Sequence, residues 1–252
     1  MNDMILLYEE LSLNAHPALQ TQLYDGWVLR FANGYTNRAN SVNPLYPSTR
    51  DLQEKIAECE SRYFAQGLPA VYKLTDGTDP RVDKALERQD YAFVTLTYVM
   101  SMDLRDKGFI SGDCVTANHA GDEWLTAYFS FSRYTDNIKI MTAKQILEYV
   151  KSPMVCGRIV KGGVSVACGS AVIERGYMAL LNVIVDEPER GKGYGVEICA
   201  SLLAAAQRLG ARTAYLQVIR DNQKAINLYT KLGYKTMYSY WYRVKQETAI
   251  LC

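Results

Sequence analysis

Histidine is scarce in this sequence of 252 residues, because only His16 and His119 occur and they are far apart. No two cysteines form a C-x-x-C motif, so a zinc ribbon or a thioredoxin-like site is not expected. We therefore predict no metal site, and we predict reduced, mostly buried thiols without a redox role. The six cysteines are Cys59, Cys114, Cys156, Cys168, Cys199 and Cys252.

The sequence also lacks an apolar run of about 20 residues, the length that a transmembrane helix needs. Its first residues, MNDMILLYEE, contain no basic segment followed by a long apolar core, so they do not resemble a signal peptide. The net charge of +1 offers no basic excess for nucleic acid or for an anionic membrane. These absences predict a cytoplasmic globular protein with neither partner.

Predicted strands and helices alternate along the chain, which is typical of a layered α/β fold. The strongest helix covers 196–209, where apolar residues share one face and Gly210 follows as the C-cap. β-Branched and aromatic residues predict a long strand over 91–104, and two prolines predict a loop over 40–50. Further strands are predicted at 26–31, 69–74, 155–160, 164–173, 177–185, 213–219 and 238–244, and further helices at 52–64, after Asp79, within 122–150 as a pair, and at 222–232.

The two halves of the chain align when one is shifted by about 143 residues. In this ungapped alignment the residues 40–42 fall on 183–185. The shared order of helix, glycine, strand, helix and strand predicts a tandem duplication. A polar stretch with two glycines separates the copies, so we predict one domain over 1–107 and a second over 113–246.

Residues 190–195 read RGKGYG and stand between a predicted buried strand and a predicted helix. Glycines let backbone amides approach a phosphate, and the positive end of the helix dipole favours an anion there. Arg190 and Lys192 add charge that suits a pyrophosphate. The spacing differs from the G-x-G-x-x-G of dinucleotide folds, and the Gly-Lys-Ser/Thr end of a P-loop is absent. Because the first half has no glycine at its matching positions 47–52, we place the anion site in the second half.

These residues give the second half a resemblance to the GNAT (GCN5-related) superfamily of N-acetyltransferases. The resemblance covers about residues 113–245, and the first half resembles the degenerate leading domain of tandem bacterial members. It implies a mixed α/β (α+β) fold of two tandem domains, each with a mixed central sheet flanked by helices. The family's first motif, Arg/Gln-x-x-Gly-x-Gly/Ala, is matched by Arg190, Gly193 and Gly195. Its second motif is matched by Asn222, Ala225, Leu228, Tyr229, Gly233 and Tyr234.

The resemblance implies that acetyl-CoA serves as the acyl-donor cosubstrate and that the second half binds it. The strand residues Val183, Ile184 and Val185 would pair with the pantetheine arm, and Asn222 would reach the pantetheine or the pyrophosphate. Tyr229, where the first half has Leu86, would lie near the sulfur and protonate the leaving thiolate, a role that suits a phenol with a pKa of about 10. The pyrophosphate would be held by Arg190, Gly191, Lys192, Gly193, Tyr194, Gly195 and Val196.

The general base is not assigned, because residues 179–182 of the strand before the loop contain no titratable side chain. Glu174 on the preceding strand is a candidate, and Asp186 and Asp136 are weaker ones. The loop around Tyr134 is where such folds admit the acceptor. Tyr35, Arg38 and Asn40 of the first half either line the same cleft or form a turn between the halves.

Three functions remain open for a chain with this pattern. The first is an enzyme that moves an acetyl group from acetyl-CoA to a primary amine of a small molecule. The others are an acyl-CoA-binding sensor without turnover, and a protein or peptide N-acetyltransferase. Tyr229 favours an enzyme, and the missing strand base keeps the sensor open. The sequence is compatible with a monomer or a homodimer.

Overall fold

A computed structural model of the chain, which describes residues 2–247, contains seven helices, eleven strands and a short 3-10 helix in that range. The helices are α1 (Asp3–Ala15), α2 (Leu52–Phe64), α3 (Pro80–Glu87), α4 (Asp122–Ser132), α5 (Asn137–Tyr149), α6 (Tyr194–Arg208) and α7 (Gln223–Leu232). The strands are β1 (Gln20–Tyr24), β2 (Trp27–Phe31), β3 (Val42–Pro44), β4 (Ala70–Thr75), β5 (Ala92–Asp103), β6 (Cys114–Ala117), β7 (Met154–Lys161), β8 (Val164–Glu174), β9 (Tyr177–Val185), β10 (Thr213–Ile219) and β11 (Lys235–Lys245).

All the described strands belong to one mixed sheet, in the order β1-β2-β3-β4-β11-β5-β10-β9-β8-β7-β6. Reading outward from the central β11–β5 pair gives β4, β3, β2, β1 on one side and β10, β9, β8, β7 on the other. On both sides the successive pairings are antiparallel, parallel, antiparallel and antiparallel. The halves are therefore related by an approximate twofold axis, and the fold class that the sequence predicted is confirmed.

The two halves exchange a strand at the centre of this sheet. β5, from the first half, lies between β10 and β11 of the second half. β11, in turn, lies between β4 and β5 of the first half. Each half thus supplies a strand that completes the sheet of the other, so the halves share one continuous hydrogen-bonded sheet. The division of the chain into 1–107 and 113–246 stays a prediction.

The ungapped alignment of the halves is wrong for the strands that lead to the two loops. Val42 of β3 pairs with Tyr72, and Ala179 of β9 pairs with Tyr215. Residue 42 therefore corresponds in space to residue 179 rather than to residue 185. β9 continues to Val185 after this pairing, whereas β3 ends at Pro44. The second half has a longer strand where the donor substrate is expected.

Helices cover both faces of the sheet. α2, α3, α6 and α7 pack on one face, with residues such as Met178 and Leu180 of β9 in the core beneath them. α1 packs on the opposite face, over Ala179 and the tyrosines of the central strands, and α4 lies on that face over β7 and β8. Alternate residues of one strand therefore belong to different cores. Gly169 permits the close approach of α6, because a Cβ there would lie 2.9 Å from the Leu202 side chain.

Five elements were not predicted: α1, β1, β3, β6 and the short 3-10 helix at Glu187–Glu189. α1 begins at an Asn2 cap, whose side chain accepts the Met4 amide at 2.8 Å, and it buries Ile5, Tyr8, Leu11 and Ala15. The three strands have only three to five residues each, too few for a clear alternating pattern. β3 lies within the segment 40–50 that was predicted to be a loop. The other predicted helices and strands are confirmed, with ends that move by a few residues.

Five of the six cysteines fall within the described residues, and each is a free thiol. Cys59, Cys156, Cys168 and Cys199 are buried, and burial raises the pKa of each to about 12, so they are unreactive at neutral pH. Cys252 lies outside the described residues. Residues 2–247 contain no cluster of histidine, cysteine or acidic side chains that is arranged to hold a metal. No helix in that part of the chain is long and apolar enough to cross a membrane.

Candidate active site

The central feature of the site is the place where β9 and β10 separate. These strands are hydrogen-bonded only as far as the pair Ala179 and Tyr215. Beyond that pair β9 runs on to Val185 and β10 runs on to Ile219. The edge of β9 that faces β10 therefore has no partner strand over its last residues within the described chain. Such an edge presents backbone amides and carbonyls that an extended ligand can pair with.

A β-bulge shapes the end of β9. Ser170 of β8 lies opposite Leu181, and Cys168 lies opposite Ile184, so β9 has one more residue than β8 in this interval. The bulged residue is Asn182, with a φ of 55°, and its side chain donates to the Ser170 hydroxyl at 3.1 Å. Bulges bend a strand and redirect its backbone groups. Val183, Ile184 and Val185, the predicted pantetheine contacts, follow this bend and are half-buried.

The glycine-rich loop adopts the conformation that an anion cradle needs. Gly191 and Gly193 have φ values of 85° and 90°, and nothing lies within 4 Å of a Cβ placed on either one. They are needed for backbone conformation rather than for space. Gly193 is also the N-cap of α6 and provides no capping side chain. Within the described chain the amides of residues 191–195 have no hydrogen-bond acceptor, so an anion could accept from them.

The charged side chains of this loop are both exposed. Arg190 donates from Nε to the Val185 carbonyl at 3.3 Å, which ties the loop to the end of β9. Lys192 forms an ion pair with Glu189 at 2.9 Å. Tyr194 begins α6, and Val196 is exposed in its first turn. The loop therefore has two cationic side chains near the helix N-terminus, one of them paired with Glu189, and both could contact a pyrophosphate.

The third glycine of the loop has a packing role. A Cβ on Gly195 would lie 2.8 Å from the Leu228 side chain of α7, so this glycine lets the start of α6 meet α7. Asn222 is the N-cap of α7, and its Oδ1 accepts the Ala225 amide at 3.1 Å. Asn222 is exposed. The two motifs therefore bring the start of α6 against the middle of α7, the helix that Asn222 begins.

Tyr229 lies on α7 and is half-buried. Its ring meets the ring of Tyr234 edge to face at 5.9 Å, and it packs against the same core as Val183 and Val185. Burial raises the pKa of Tyr229 well above 10, so the phenol keeps its proton at neutral pH. Its hydroxyl makes no hydrogen bond within residues 2–247. The hydroxyl of Tyr234 is also without a partner there, but it is fully buried.

In the matching loop of the first half, the backbone amides donate hydrogen bonds to carboxylates of the same half. Asp25 accepts the backbone amides of Thr49 and Arg50 at 3.0–3.1 Å and the hydroxyls of Ser48 and Thr49 at 2.7–2.8 Å. At the start of α2, the Asp51 side chain accepts two further amides. Amides that could cradle a phosphate are thus already satisfied by aspartate. This explains in physical terms why the first half is degenerate.

The candidate bases named from the sequence have structural partners. Glu174 accepts two bonds from the Asn14 side chain, at 3.0 and 3.1 Å. Asp136 caps α5, where it accepts the Ile138 amide at 2.8 Å, and Asp186 accepts the Glu187 amide at 2.9 Å at the 3-10 helix. None of the three lines the cavity at the separation of β9 and β10. The structure gives no support for any of them as the base.

The first-half residues named from the sequence were expected either to line the acceptor cleft or to form a turn between the halves, and the structure shows both roles. Asn40 holds a turn, since its side chain bonds the backbone of Ala32, Gly34 and Thr36. The Tyr35 hydroxyl lies 3.1 Å from the Tyr128 hydroxyl, so Tyr35 packs the halves together. Arg38, in contrast, lines the cavity at the strand separation.

Sequence reasoning missed two further residues of this cavity, His16 and Arg30. Both depend on the position of α1, a helix that was not predicted. His16 is the residue that ends α1, and Arg30 lies on β2, far from either family motif. Only the fact that His16 is one of two histidines in the chain could have drawn attention to it.

The separated strands, the glycine cradle and the tandem sheet define an N-acetyltransferase of the GNAT superfamily. The chain belongs to the family described as "Probable histone acetyltransferase Rv0428c C-terminal", whose model matches residues 5–243. A curated relative from Bacillus subtilis (strain 168), an uncharacterized N-acetyltransferase named YobR, is 26% identical over an alignment of 251 residues that covers 97% of this chain and 100% of the relative.

Solved structures share the same fold. A GCN5-related N-acetyltransferase from Kribbella flavida superposes with a TM-score of 0.69 at 16% identity, over 98% of this chain and 96% of the other. A tandem GNAT protein from the clavulanic acid biosynthesis pathway has a TM-score of 0.65 at 11% identity, over 94% and 86% of the two chains. At these identities the likeness concerns the fold alone.

Proposed function

We propose that the second half of this chain transfers an acetyl group from acetyl-CoA to the primary amine of a small molecule, in the cytoplasm. The observation that carries the proposal is the separation of β9 and β10 beside a helix N-terminus whose loop amides have no acceptor among the described residues. The strand edge fits the extended pantetheine arm of coenzyme A, and the anion cradle that follows it fits the pyrophosphate.

The donor would lie along the second half in the following way. The pantetheine arm pairs with the backbone of Val183, Ile184 and Val185. The pyrophosphate accepts hydrogen bonds from the amides of residues 191–195, with Arg190 and Lys192 supplying positive charge, while the Val196 amide already donates to the Gly193 carbonyl at 3.0 Å. Asn222, at the start of α7, lies on the side where the arm meets the pyrophosphate. The acetyl end then points toward the place where β9 and β10 begin to separate.

The reaction forms a C–N bond and breaks a C–S bond. A neutral amine attacks the thioester carbonyl, and the backbone amide of Val183 or Val185 polarises the carbonyl oxygen. Tyr229 donates its phenolic proton to the departing sulfur, and the proton released by the amine returns to the Tyr229 phenolate through water. The raised pKa of Tyr229 keeps the phenol protonated at the start of every turnover, although it also makes the phenol a weaker acid toward the thiolate.

A small acceptor is proposed because of the cavity at the strand separation. Its enclosed space is only about 20 Å³, and the end of α1 covers it. The family description names a probable histone acetyltransferase. A basic histone tail would meet Arg30 and Arg38 there, and like charges repel. A lysine-rich peptide therefore belongs in the test as a competing acceptor.

The test measures thiol release from acetyl-CoA with a panel of amines, and acetyl-CoA binding by calorimetry. The panel contains amino acids, polyamines, amino sugars and a histone-tail peptide. Binding together with turnover of one small-amine class is the expected result. Binding without turnover on any acceptor would favour the sensor, turnover of the peptide alone would favour the protein acetyltransferase, and absence of binding would contradict the proposal entirely.

A further inference from the structure

The cavity at the separation of β9 and β10 lies on the α1 face of the sheet, opposite α6 and α7. Its walls are Ala179–Leu181 and Tyr215–Gln217 of the two strands, and the end of α1 around His16. Three cationic side chains of the first half complete it: Arg30, Arg38 and Lys73. The first half therefore supplies every formal charge on the cavity wall, and the second half supplies uncharged groups.

Arg30 is 4% exposed, and its hydrogen-bond partners are neutral. The guanidinium donates to the carbonyls of Leu13 and His16 at the end of α1 and to the carbonyl of Arg38. These bonds use three of its five N–H groups, so two remain. The negative end of the α1 dipole offsets part of its charge. Burial lowers the pKa of Arg30 to about 10, and the positive charge of Arg38 adds to that shift.

Arg38 is half-buried, and its side chain forms no hydrogen bond or ion pair within residues 2–247. Its carbonyl is held by Arg30, so its backbone is fixed while its guanidinium is available. The charge of Arg38 beside the buried charge of Arg30 is unfavourable unless an anion binds next to both of them.

The other ionisable groups at the cavity do not supply that negative charge. Lys73 forms a buried ion pair with Glu9, and Glu9 also accepts the Tyr238 hydroxyl at 2.8 Å. That pair is neutral overall. Burial, with Arg38 and Arg30 adding to it, lowers the pKa of His16 well below 6.5, so His16 is neutral at pH 7. The cavity thus carries a net positive charge from two guanidinium groups.

We propose that the acceptor is an amine that also carries an anionic group, a carboxylate or a phosphate, and that Arg38 binds this group with Arg30 behind it. The inference rests on the proposed function, since it names the acceptor class of the same site. A planar guanidinium suits either oxyanion through two parallel bonds. With the anion held at the α1 side, the amine is directed toward the strand separation, where the acetyl end of the donor would lie.

The first experiment is a binding titration that does not depend on turnover. With coenzyme A present, calorimetry compares L-amino acids, their uncharged carboxamides, and aminoalkyl phosphonates. We expect the anionic amines to bind at least tenfold more tightly than the carboxamides. The ratio between carboxylates and phosphonates identifies which oxyanion the site takes. Equal binding of amino acids and carboxamides, or binding of neither anionic class, would overturn the proposal.

Variants of Arg38 test the assignment to a residue. Arg38→Gln should remove the preference for anionic amines. Arg38→Lys should restore part of that preference, because lysine carries the same charge but cannot form the two parallel hydrogen bonds of a guanidinium. Arg105→Gln, an exposed arginine paired with Asp103 outside the cavity, is the matched control and should change nothing. If Arg38→Gln weakened the binding of anionic and neutral amines equally, Arg38 would be a structural residue and the proposal would be wrong.

Kinetics separates this inference from the proposed function. If acetyl-CoA were turned over with neutral amines or polyamines and not with anionic ones, the acetyltransferase would stand and the acceptor class would be wrong. If anionic amines bound through Arg38 and no acetyl transfer followed, the anion site would stand and the proposed reaction would fail. Under the proposal, Arg38→Gln raises KM for the anionic amine at least tenfold and leaves KM for acetyl-CoA unchanged.

Discussion

The carboxylate of Asp25 accepts the backbone amide of Thr49, with each carboxylate oxygen 3.1 Å from the amide nitrogen. Thr49 belongs to the loop that matches the glycine-rich loop of the second half. The same kind of loop is thus satisfied internally in one half, whereas in the other its amides have no acceptor among residues 2–247. The duplicated fold therefore contains one structural loop and one candidate anion site.

Replacing Asp25 by alanine should destabilise the fold without affecting the donor site. The amide of Arg50 and the hydroxyl of Ser48 hold the pKa of Asp25 well below its usual range, so this stabilisation is present above about pH 4 and is lost as the pH falls through the lowered value. Urea unfolding at pH 7 should show a lower midpoint for Asp25→Ala than for wild type. An altered Kd for acetyl-CoA would show that the two loops are coupled.

Gly193→Ala and Gly210→Ala form a matched pair at opposite ends of α6. Both glycines have φ near 90° and open space at Cβ, so each substitution should cost about 1–2 kcal/mol of stability through backbone strain alone. Only Gly193 lies in the proposed cradle. Calorimetry should show at least a tenfold weaker Kd for acetyl-CoA with Gly193→Ala and no change with Gly210→Ala. Equal weakening by both would remove the anion role of this loop.

Tyr229→Phe should lower kcat at least tenfold, which is about 1.4 kcal/mol of barrier, and leave KM for acetyl-CoA unchanged. The reason is that the leaving thiolate loses its proton donor. Tyr234→Phe is the control, because its hydroxyl is buried and without a partner in the described chain. Steady-state kinetics of both variants decides the matter. A similar loss in both would indicate that the ring pair, rather than the Tyr229 hydroxyl, is what matters.

His16 should make the fold sensitive to mild acid. Because burial, Arg38 and Arg30 lower its pKa, the unfolded chain binds a proton below about pH 6.5 that the folded chain does not. Stability is therefore lost as the pH falls from 6.5, by up to about 1.4 kcal/mol per pH unit. Urea midpoints at pH 7.5 and pH 5.5 should differ less in His16→Gln than in wild type. His119→Gln, at an exposed position, should behave like wild type.

Glu9→Gln should destabilise the protein by about 3–5 kcal/mol, because it leaves Lys73 buried without its partner charge. The double variant Glu9→Leu with Lys73→Met removes both charges and should recover most of the loss. Urea unfolding of the single and double variants measures the coupling. If the double variant were as unstable as the single one, the pair would act through packing of α1 rather than through charge.

Most of the regular elements were predictable because their signals are local. One apolar face followed by Gly210 predicts α6, and Asn222 at the start and Gly233 at the end predict α7. The two family motifs placed the donor site in the second half, and the loop conformation at Gly191 and Gly193 agrees with that placement. The roles of these residues stay predictions until binding is measured.

The cavity beside α1 was predicted only in part. Arg38 was among the residues expected either to line the cleft or to form a turn, whereas His16 and Arg30 were missed because these residues meet only through the tertiary fold. His16, Arg30 and Arg38 come from three separate elements of the half that carries no family motif. Their position depends on α1, whose weakly patterned sequence is helical because it buries Tyr8 and Leu11 against the central strands. No short sequence pattern in that segment predicts the contact.

The sequence by itself determined the composition of each half: which strand is followed by glycines, which helix carries Tyr229, and which loop lacks glycine. The tertiary structure alone decided how the halves combine. β5 and β11 cross into each other's sheets, and this exchange brings the α1 face of the first half over the separated strands of the second. The physical reason is that turn and helix signals act over a few residues, whereas strand pairing and charge burial join residues far apart in the chain.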